Sequence, residues 1–289
     1  MMTQLAEHRF TWSRRTPAST AEDWFETLAH LGPMRVMVTQ NVGSNSAQIQ
    51  AHGLTEKEAV ALKSEYGGKI SEATWLTAQN PPQRAPIRVR NRLTVVSTES
   101  ERDAALEKSA KPVLWIPAGL AFGTGEHATT AMCLRHLADI AATLKPEPWE
   151  FLDLGTGSAI LAMAAKVLGA ERVLGTDFDA LALRTAKENV HNNRLRGIEL
   201  KRSDVLKWTP DRTWQVVGAN LFSGVLIEAA PVIAKAVAGG GHLLLSGVLR
   251  EQEAEVLAAF AAQKLSIERV TRKGKWISAH ARKTSNAKR

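Results

Sequence analysis

Two glycines and two acids at fixed spacing set the chemistry that this 289-residue chain can support. Residues 150–165 run E-F-L-D-L-G-T-G-S-A-I-L-A-M-A-A, and G-T-D-F-D follows, with Asp177 twenty-two residues beyond Gly155. The pattern is a buried strand, a Gly-x-Gly turn, the first turns of a helix, and a second strand ending in acid. Gly155 and Gly157 allow a tight turn and a close approach of backbone to ligand that a Cβ would obstruct. Asp177 is placed to accept hydrogen bonds from a ribose diol. Together they describe a nucleoside-type cofactor site in an α/β sheet. A dinucleotide site would carry a third glycine where Ala159 stands and would set pyrophosphate on the helix N-terminus. Asp153, just ahead of the turn, opposes such an anion. It suits a ligand carrying positive charge, such as the amino and sulfonium groups of S-adenosylmethionine.

The D-L-G-T-G-S segment at Asp153–Ser158 resembles motif I of the Rossmann-like S-adenosylmethionine-dependent methyltransferases. Residues 117–130, P-A-G-L-A-F-G-T-G-E-H-A-T-T, resemble the A-F-G-T-G-x-H-x-T-T signature of the ribosomal protein L11 methyltransferase (PrmA) family. Residues 216–222, V-V-G-A-N-L-F, are similar to that family's V-x-A-N-I-L. Residues 239–252, G-G-G-H-L-L-L-S-G-V-L-R-E-Q, are similar to its P-G-G-x-L-I-L-S-G-I-L-x-x-Q. The likeness runs from about residue 113 to about residue 262 and is only architectural over the first 80. It implies a protein N-methyltransferase that modifies lysine side chains, and by extension the α-amine, of ribosomal protein L11. Two other readings stay open: the same catalytic domain acting on another protein or a small molecule, and a non-catalytic cofactor- or RNA-binding protein.

Methyl transfer from a sulfonium to an amine is an in-line displacement, which asks the protein to align the partners and exclude water. A free lysine has a pKa near ~10.4, and a neighbouring sulfonium and partial desolvation both lower it, so no strong general base is required. Asn220, at the end of the fourth strand, is the catalytic candidate. Its amide oxygen, with the Leu221 carbonyl, can accept N–H bonds and orient the amine lone pair; the alternative is that Asn220 caps the following helix. Phe122 is expected over the adenine or methionine part of the cofactor. Thr124 and Thr130 are expected at its methionine carboxylate, helix capping being the alternative. His127 and Thr129 are assigned to the substrate side, with base catalysis by His127 the lesser reading. Gly123 and Gly125 suit a loop that closes over the cofactor. In the resemblance, Asp204 contacts the adenine amino group; otherwise it is a turn residue. The cofactor set is therefore Phe122, Thr124, Thr130, Asp153, Gly155, Gly157, Asp177, Asp204 and Asn220.

Composition fits a globular protein, with 44% hydrophobic and 23% charged residues. No run approaches the ~18 apolar residues of a membrane span, and the N-terminus lacks an apolar signal core. A single cysteine, Cys133, excludes an internal disulfide framework and fits a reducing cytoplasm. It reads as a small core residue on a helix. No Cys/His cluster has zinc-ligand spacing, so no metal is expected. The net charge of +8 is concentrated in residues 264–289, which hold nine basic side chains and one acidic. Clustered Lys and Arg suffice to attract phosphate. Without interleaved aromatics, however, this end reads as a solvated hairpin edge and a charged tail rather than an RNA site. The partner expected is a protein substrate, met by a monomer.

The elements that must position these residues fall into three segments. Residues 1–80 show strands at 9–14, 35–41, 47–50 and 69–76, and helices at 21–31 and 55–66. Thr20 and Thr55 are expected N-caps, the latter with Glu58 as a capping box. The order βαββαβ is that of a ferredoxin-like α+β domain, assigned to substrate recognition. Its slight acidity, seven basic against eight acidic residues, suits a basic ribosomal partner. Residues 81–112, proline-bearing and basic, are expected to be a linker with one strand at 93–97. From residue 113 to 289, strands alternate with helices in the manner of a mostly parallel Rossmann-like sheet. Its last two strands, 264–271 and 275–281, form an antiparallel pair.

Overall fold

The computed structural model describes residues 10–21, 23–31, 35–40, 45–72, 86–108, 110–117, 127–144 and 146–285. They divide into two units, Met1–Gln83 and Arg84–Arg289.

In the first unit, β1 (Phe10–Pro17), β2 (Val36–Gln40), β3 (Ser46–Leu54) and β4 (Lys69–Glu72) form an antiparallel sheet in the order β2-β3-β1-β4. That is the ferredoxin-like order. Alternation puts Trp12, Ile49, Ala51 and Leu54 into a core with Leu28 and Leu62. Trp12, Trp24 and Tyr66 form an aromatic cluster with centroids 5.3–6.3 Å apart. The first helix is shorter than expected. Only α1 (Asp23–Thr27) is α-helical, flanked by 3₁₀ turns at Ala18–Thr20 and Ala29–Leu31. Thr20 does not act as its cap; the hydroxyl donates to the Pro17 carbonyl at 3.2 Å and lies 3.0 Å from Thr16 Oγ1. Placing Trp24 in the aromatic cluster outweighs the weak helix propensity of this Trp- and Thr-bearing run.

The second helix, α2 (Glu56–Tyr66), begins with the expected capping box: Glu58 N donates to Thr55 Oγ1 at 3.2 Å and Thr55 N to Glu58 Oε2 at 2.7 Å. The same carboxylate takes a two-pronged bond from Arg35, at 3.2 and 3.1 Å. Burial works to raise the Glu58 pKa, but the Arg35 and Thr55 hydrogen bonds overcome it and hold the group at about 2. A depressed carboxylate contributes stability that is complete above its unfolded value and is lost as pH falls toward the folded one. Glu58→Gln is therefore expected to cost this unit about 1 kcal/mol at pH 7, allowing for partial exposure. The difference from wild type should shrink between pH 4.5 and about 2. Urea melts followed by tryptophan fluorescence at neutral and acid pH check this; a difference that does not shrink in acid would contradict it.

The second unit starts earlier than the segment boundaries of the sequence imply. Residues expected to be linker form β5 (Ile87–Val89), β6 (Leu93–Val96) and α3 (Glu99–Lys108), which join β7 (Val113–Trp115) in a small sheet ordered β5-β6-β7. Val89, Leu93 and Val95 enter the core of this unit. Asn193 fixes the sheet: its Oδ1 accepts from Trp115 N and its Nδ2 donates to Trp115 O, both at 2.7 Å. A pair of bonds from a residue 78 positions away leaves no trace in local composition.

The large sheet is built from β8 (Glu150–Leu154), β9 (Arg172–Asp177), β10 (Ile198–Arg202), β11 (Trp214–Asn220), β12 (Val237–Leu249), β13 (Leu265–Lys273) and β14 (Trp276–Lys283). The helices between them are α4 (Ala128–Leu144), α5 (Ile160–Val167), α6 (Ala180–Asn192), α7 (Ser223–Ala236) and α8 (Glu253–Ala261). Strand order is β10-β9-β8-β11-β12-β14-β13; the first five are parallel and β14 runs antiparallel to both its neighbours. Alternate residues serve opposite faces. Phe151, Val216 and Leu244 pack with α4 and α5, whereas Leu152, Leu154, Val217, Leu243 and Leu245 pack with α7 and α8. Lys283 ends β14 and donates to the Ala234 and Val237 carbonyls at the end of α7, at 2.6 and 2.8 Å. No helix among the described residues is long and apolar enough to cross a membrane.

Candidate active site

Strand order reverses at β8, with β9 on one side and β11 on the other. In an open parallel sheet, ligands settle at the carboxyl ends of the strands beside such a reversal. The sequence-derived residues gather there. After Leu154 the chain turns through Gly155 at φ +68° and Gly157 at φ +54°, conformations that glycine reaches without strain. Ala159, standing where a dinucleotide motif has glycine, is also left-handed at φ +63° and wholly buried.

The two acids do different things. Both oxygens of Asp177 are anchored beside the turn, Oδ2 accepting from Gly157 N at 2.9 Å and Oδ1 from Asp179 N at 3.0 Å. Each oxygen keeps a second acceptor position. Asp153 differs from the expected ligand-facing charge. It is 1% exposed, and its Oδ2 accepts from Thr156 Oγ1 at 2.7 Å and from Ala162 N at 3.1 Å. Its pKa rises to about 7, mainly through burial and further through Asp177, with the two hydrogen bonds pulling the other way. Asp153 thus secures the turn to the first turn of α5. Asp179 caps α6 through Leu181 N at 2.8 Å. Asp204 is a turn residue: it accepts from Leu206 N at 3.1 Å and pairs with Lys207 at 3.7 Å.

Asn220 is the last residue of β11. Its Oδ1 is buried and has no hydrogen-bond partner among the described residues. The cap alternative is not realised, because α7 takes Phe222 as N-cap with no side-chain bond. At the start of α4, His127 Nδ1 lies 2.7 Å from Thr129 Oγ1, and the ring meets Trp276 edge-on at 4.8 Å. Burial, then Lys275, lower the His127 pKa. Thr129 is fully buried with its hydroxyl on that ring, so it orients His127 instead of meeting a substrate as expected. Thr130 is buried too, and its Oγ1 has no partner among the described residues. Phe122, Gly123, Thr124 and Gly125 lie outside the described residues. Cys133 is a core residue whose thiol burial pushes up to about 12.

Several residues at this end escaped the sequence reading. Phe178, Leu206 and Phe222 follow the ends of β9, β10 and β11 and are 43%, 41% and 62% exposed. Phe178 had a signal, a large apolar side chain directly after the strand-ending Asp177. Trp276 had none, because nothing in its surroundings in sequence announces His127.

Residues 21–284 match the model of the ribosomal protein L11 methyltransferase (PrmA) family. The chain belongs to that family. It is 41% identical over 191 residues to ribosomal protein L11 methyltransferase of Methylobacillus flagellatus, a match spanning 66% of this chain and 60% of the relative. With the Pelobacter propionicus protein of the same name it shares 39% identity over 206 residues, 70% of this chain and 64% of the relative. The match thus spans less than two thirds of the length of these curated relatives. A crystal structure of ribosomal protein L11 methylase from Lactobacillus delbrueckii subsp. bulgaricus has a TM-score of 0.57 and 27% identity, over 69% of this chain and all of that one.

The family-like A-N-L-F and L-S-G-V segments meet at Leu221. Leu221 N donates to Ser246 O at 3.1 Å. A Cβ on Gly155 would stand 2.3 Å from Leu221 Cδ2, and one on Gly247, at φ +85°, would stand 2.2 Å from the Leu221 carbonyl oxygen. One glycine makes room for the side chain and the other for the backbone, so the two should respond differently to shortening Leu221. Gly155→Ala is expected to destabilise the protein by about 2 kcal/mol or more, and Leu221→Ala to recover the part due to the clash, a coupling of about 1 kcal/mol. Gly247→Ala should be as damaging in either background. Thermal melts of the single and double variants check this; additive effects for the Gly155–Leu221 pair would show that the side chain does not fill that space.

Proposed function

We propose that this chain is an S-adenosylmethionine-dependent protein N-methyltransferase that acts on lysine amines of ribosomal protein L11. The observation that carries the reading is Asn220: a buried amide oxygen without a partner among the described residues, at the strand end beside the Gly-x-Gly turn. An unsatisfied buried acceptor costs about 1–3 kcal/mol, and a substrate N–H would satisfy it. The residues present fit the cofactor. Positive-φ glycines open the backbone for close approach, the anchored Asp177 carboxylate suits the ribose diol, and the Thr130 hydroxyl suits a carboxylate. S-adenosylmethionine, when bound, supplies an electrophilic methyl group. The protein's part is to hold the acceptor amine in line through Asn220 and Leu221 and to keep water out with the apolar rim of Phe178, Leu206 and Phe222. A base is not assigned: His127 is held by Thr129 and Trp276.

The first unit is proposed to hold the protein substrate, its acidic residues Asp23 and Glu56 being exposed toward solvent. A reducing cytoplasm, where ribosomal proteins are made, is the proposed compartment.

Incubating the chain with S-adenosylmethionine and purified ribosomal proteins is expected to give one-methyl mass steps on L11, located to lysines by peptide sequencing. Steps confined to another protein would move the substrate assignment, and none at all would end the catalytic one. Asp177→Ala should weaken cofactor binding by roughly 1.5–3 kcal/mol. Asn220→Ala should leave it nearly unchanged while lowering turnover about 10²-fold, as loss of an interaction made in the transition state requires. Calorimetry and single-turnover rates separate the two. A slow Asn220→Ala enzyme that has also lost cofactor affinity would place Asn220 with the cofactor instead.

A further inference from the structure

His242, Glu268 and His280 sit on three strands of the antiparallel edge, and their ligand atoms all lie within 4.8 Å of one another. Register brings them together. Across β12 and β14, His242 faces Arg282 and Leu244 faces His280, so the two imidazoles are diagonal neighbours on one face. The pairing of β13 with β14 shifts between Ile267 and Arg269, and such a break re-aims the intervening side chain, here Glu268. His280 Nε2 lies 2.9 Å from His242 Nδ1, and His280 Nδ1 lies 3.5 Å from Glu268 Oε2. A third imidazole stands nearby on α4. His136 is 4% exposed, its ring centroid is 6.4 Å from that of His280, and its Nε2 has no partner among the described residues.

We propose that His242, His280 and Glu268 form a binding site for a zinc-type transition-metal ion that ties together the three strands of the antiparallel edge, with water as the fourth donor. Imidazole with a single carboxylate is the donor chemistry of Zn²⁺ and its first-row neighbours; Ca²⁺ and Mg²⁺ demand more oxygen. Tetrahedral bonds of about 2.0–2.1 Å set ligand atoms roughly 3.3 Å apart, so the three ligand atoms, within 4.8 Å of one another, would draw in on binding. The opposing charges are accounted for. Arg269 is paired with Asp139 at 3.0 Å, and Arg282 donates to the Gly240 carbonyl at 3.1 Å. The site is separate from the methyl-transfer end: His242 precedes Ser246, the partner of Asn220, by four residues, about 13 Å of strand.

The test is to treat the full chain with chelator, then titrate Zn²⁺ by calorimetry and Co²⁺ by visible absorption at neutral pH. One equivalent is expected, with the absorption bands of a four-coordinate nitrogen–oxygen site. Glu268 is 39% exposed, so Glu268→Gln should fold normally, which circular dichroism checks, and weaken binding by about tenfold or more. His280→Gln should abolish it. If His280→Gln does not fold, Glu268→Gln decides alone. Wild-type affinity in folded Glu268→Gln would put the metal elsewhere and overturn the proposal. Failure of the wild-type chain to take up Zn²⁺ at micromolar concentration would leave a hydrogen-bonded Glu–His–His chain and overturn it equally.

Discussion

The seating of Leu221 between Gly155 and Gly247 is the constraint on which the site depends. The cofactor turn ends β8, the proposed amine-binding residue ends β11, and Gly247 lies in β12. These are three adjacent strands, and one leucine touches all of them: its side chain fills the space left by Gly155 and its backbone lies against Gly247. Protein interiors are packed too densely to absorb ångström-scale overlaps without displacement. The distance between the Gly155 turn and the end of β11 is therefore set by a packed contact within the sheet. For an in-line displacement, in which a misplacement of about 1 Å can cost 10²-fold, that is where rigidity matters most.

Asp153 supports the same contact from below. Its carboxylate binds Thr156 and Ala162 together, so the turn that carries Gly155 is tied to α5. With a pKa near 7, this group carries part of its burial penalty as retained proton. The acid that motif reading places against a cationic ligand thus serves the backbone first. Asp177 has room for both roles, because its two backbone bonds leave an acceptor position on each oxygen.

The parallel part of the fold was legible because its signals are local: buried β-branched runs, glycines in the turn, an acid at the strand end. The Thr55–Glu58 capping box was legible for the same reason, being a pattern within four residues. What escaped was long-range. Residues 87–108 fold onto the second unit through Val89, Leu93 and Val95 in its core and through the pairing of β6 with β7, whose Trp115 is held by Asn193, and the packing of Trp276 on His127 joins residues 149 positions apart. His242, Glu268 and His280 have no motif spacing at all, since they meet through strand register. The inward turn of the Thr129 hydroxyl was not legible for a related reason: helix position is readable, but which hydroxyl turns inward is decided by packing.

One strand unites these features. Trp276, Ser278 and His280 alternate along β14 and so share a face, the face beneath α4. Each meets the region of α4 above it: Trp276 packs on His127, Ser278 Oγ lies 3.8 Å from Cys133 Sγ, and His280 lies near His136. Ser278 is also cross-strand partner to Ser246, itself paired with Asn220. The antiparallel strand is therefore a rail that fixes α4 at three levels, and its uppermost level sets the ring of the histidine at the site.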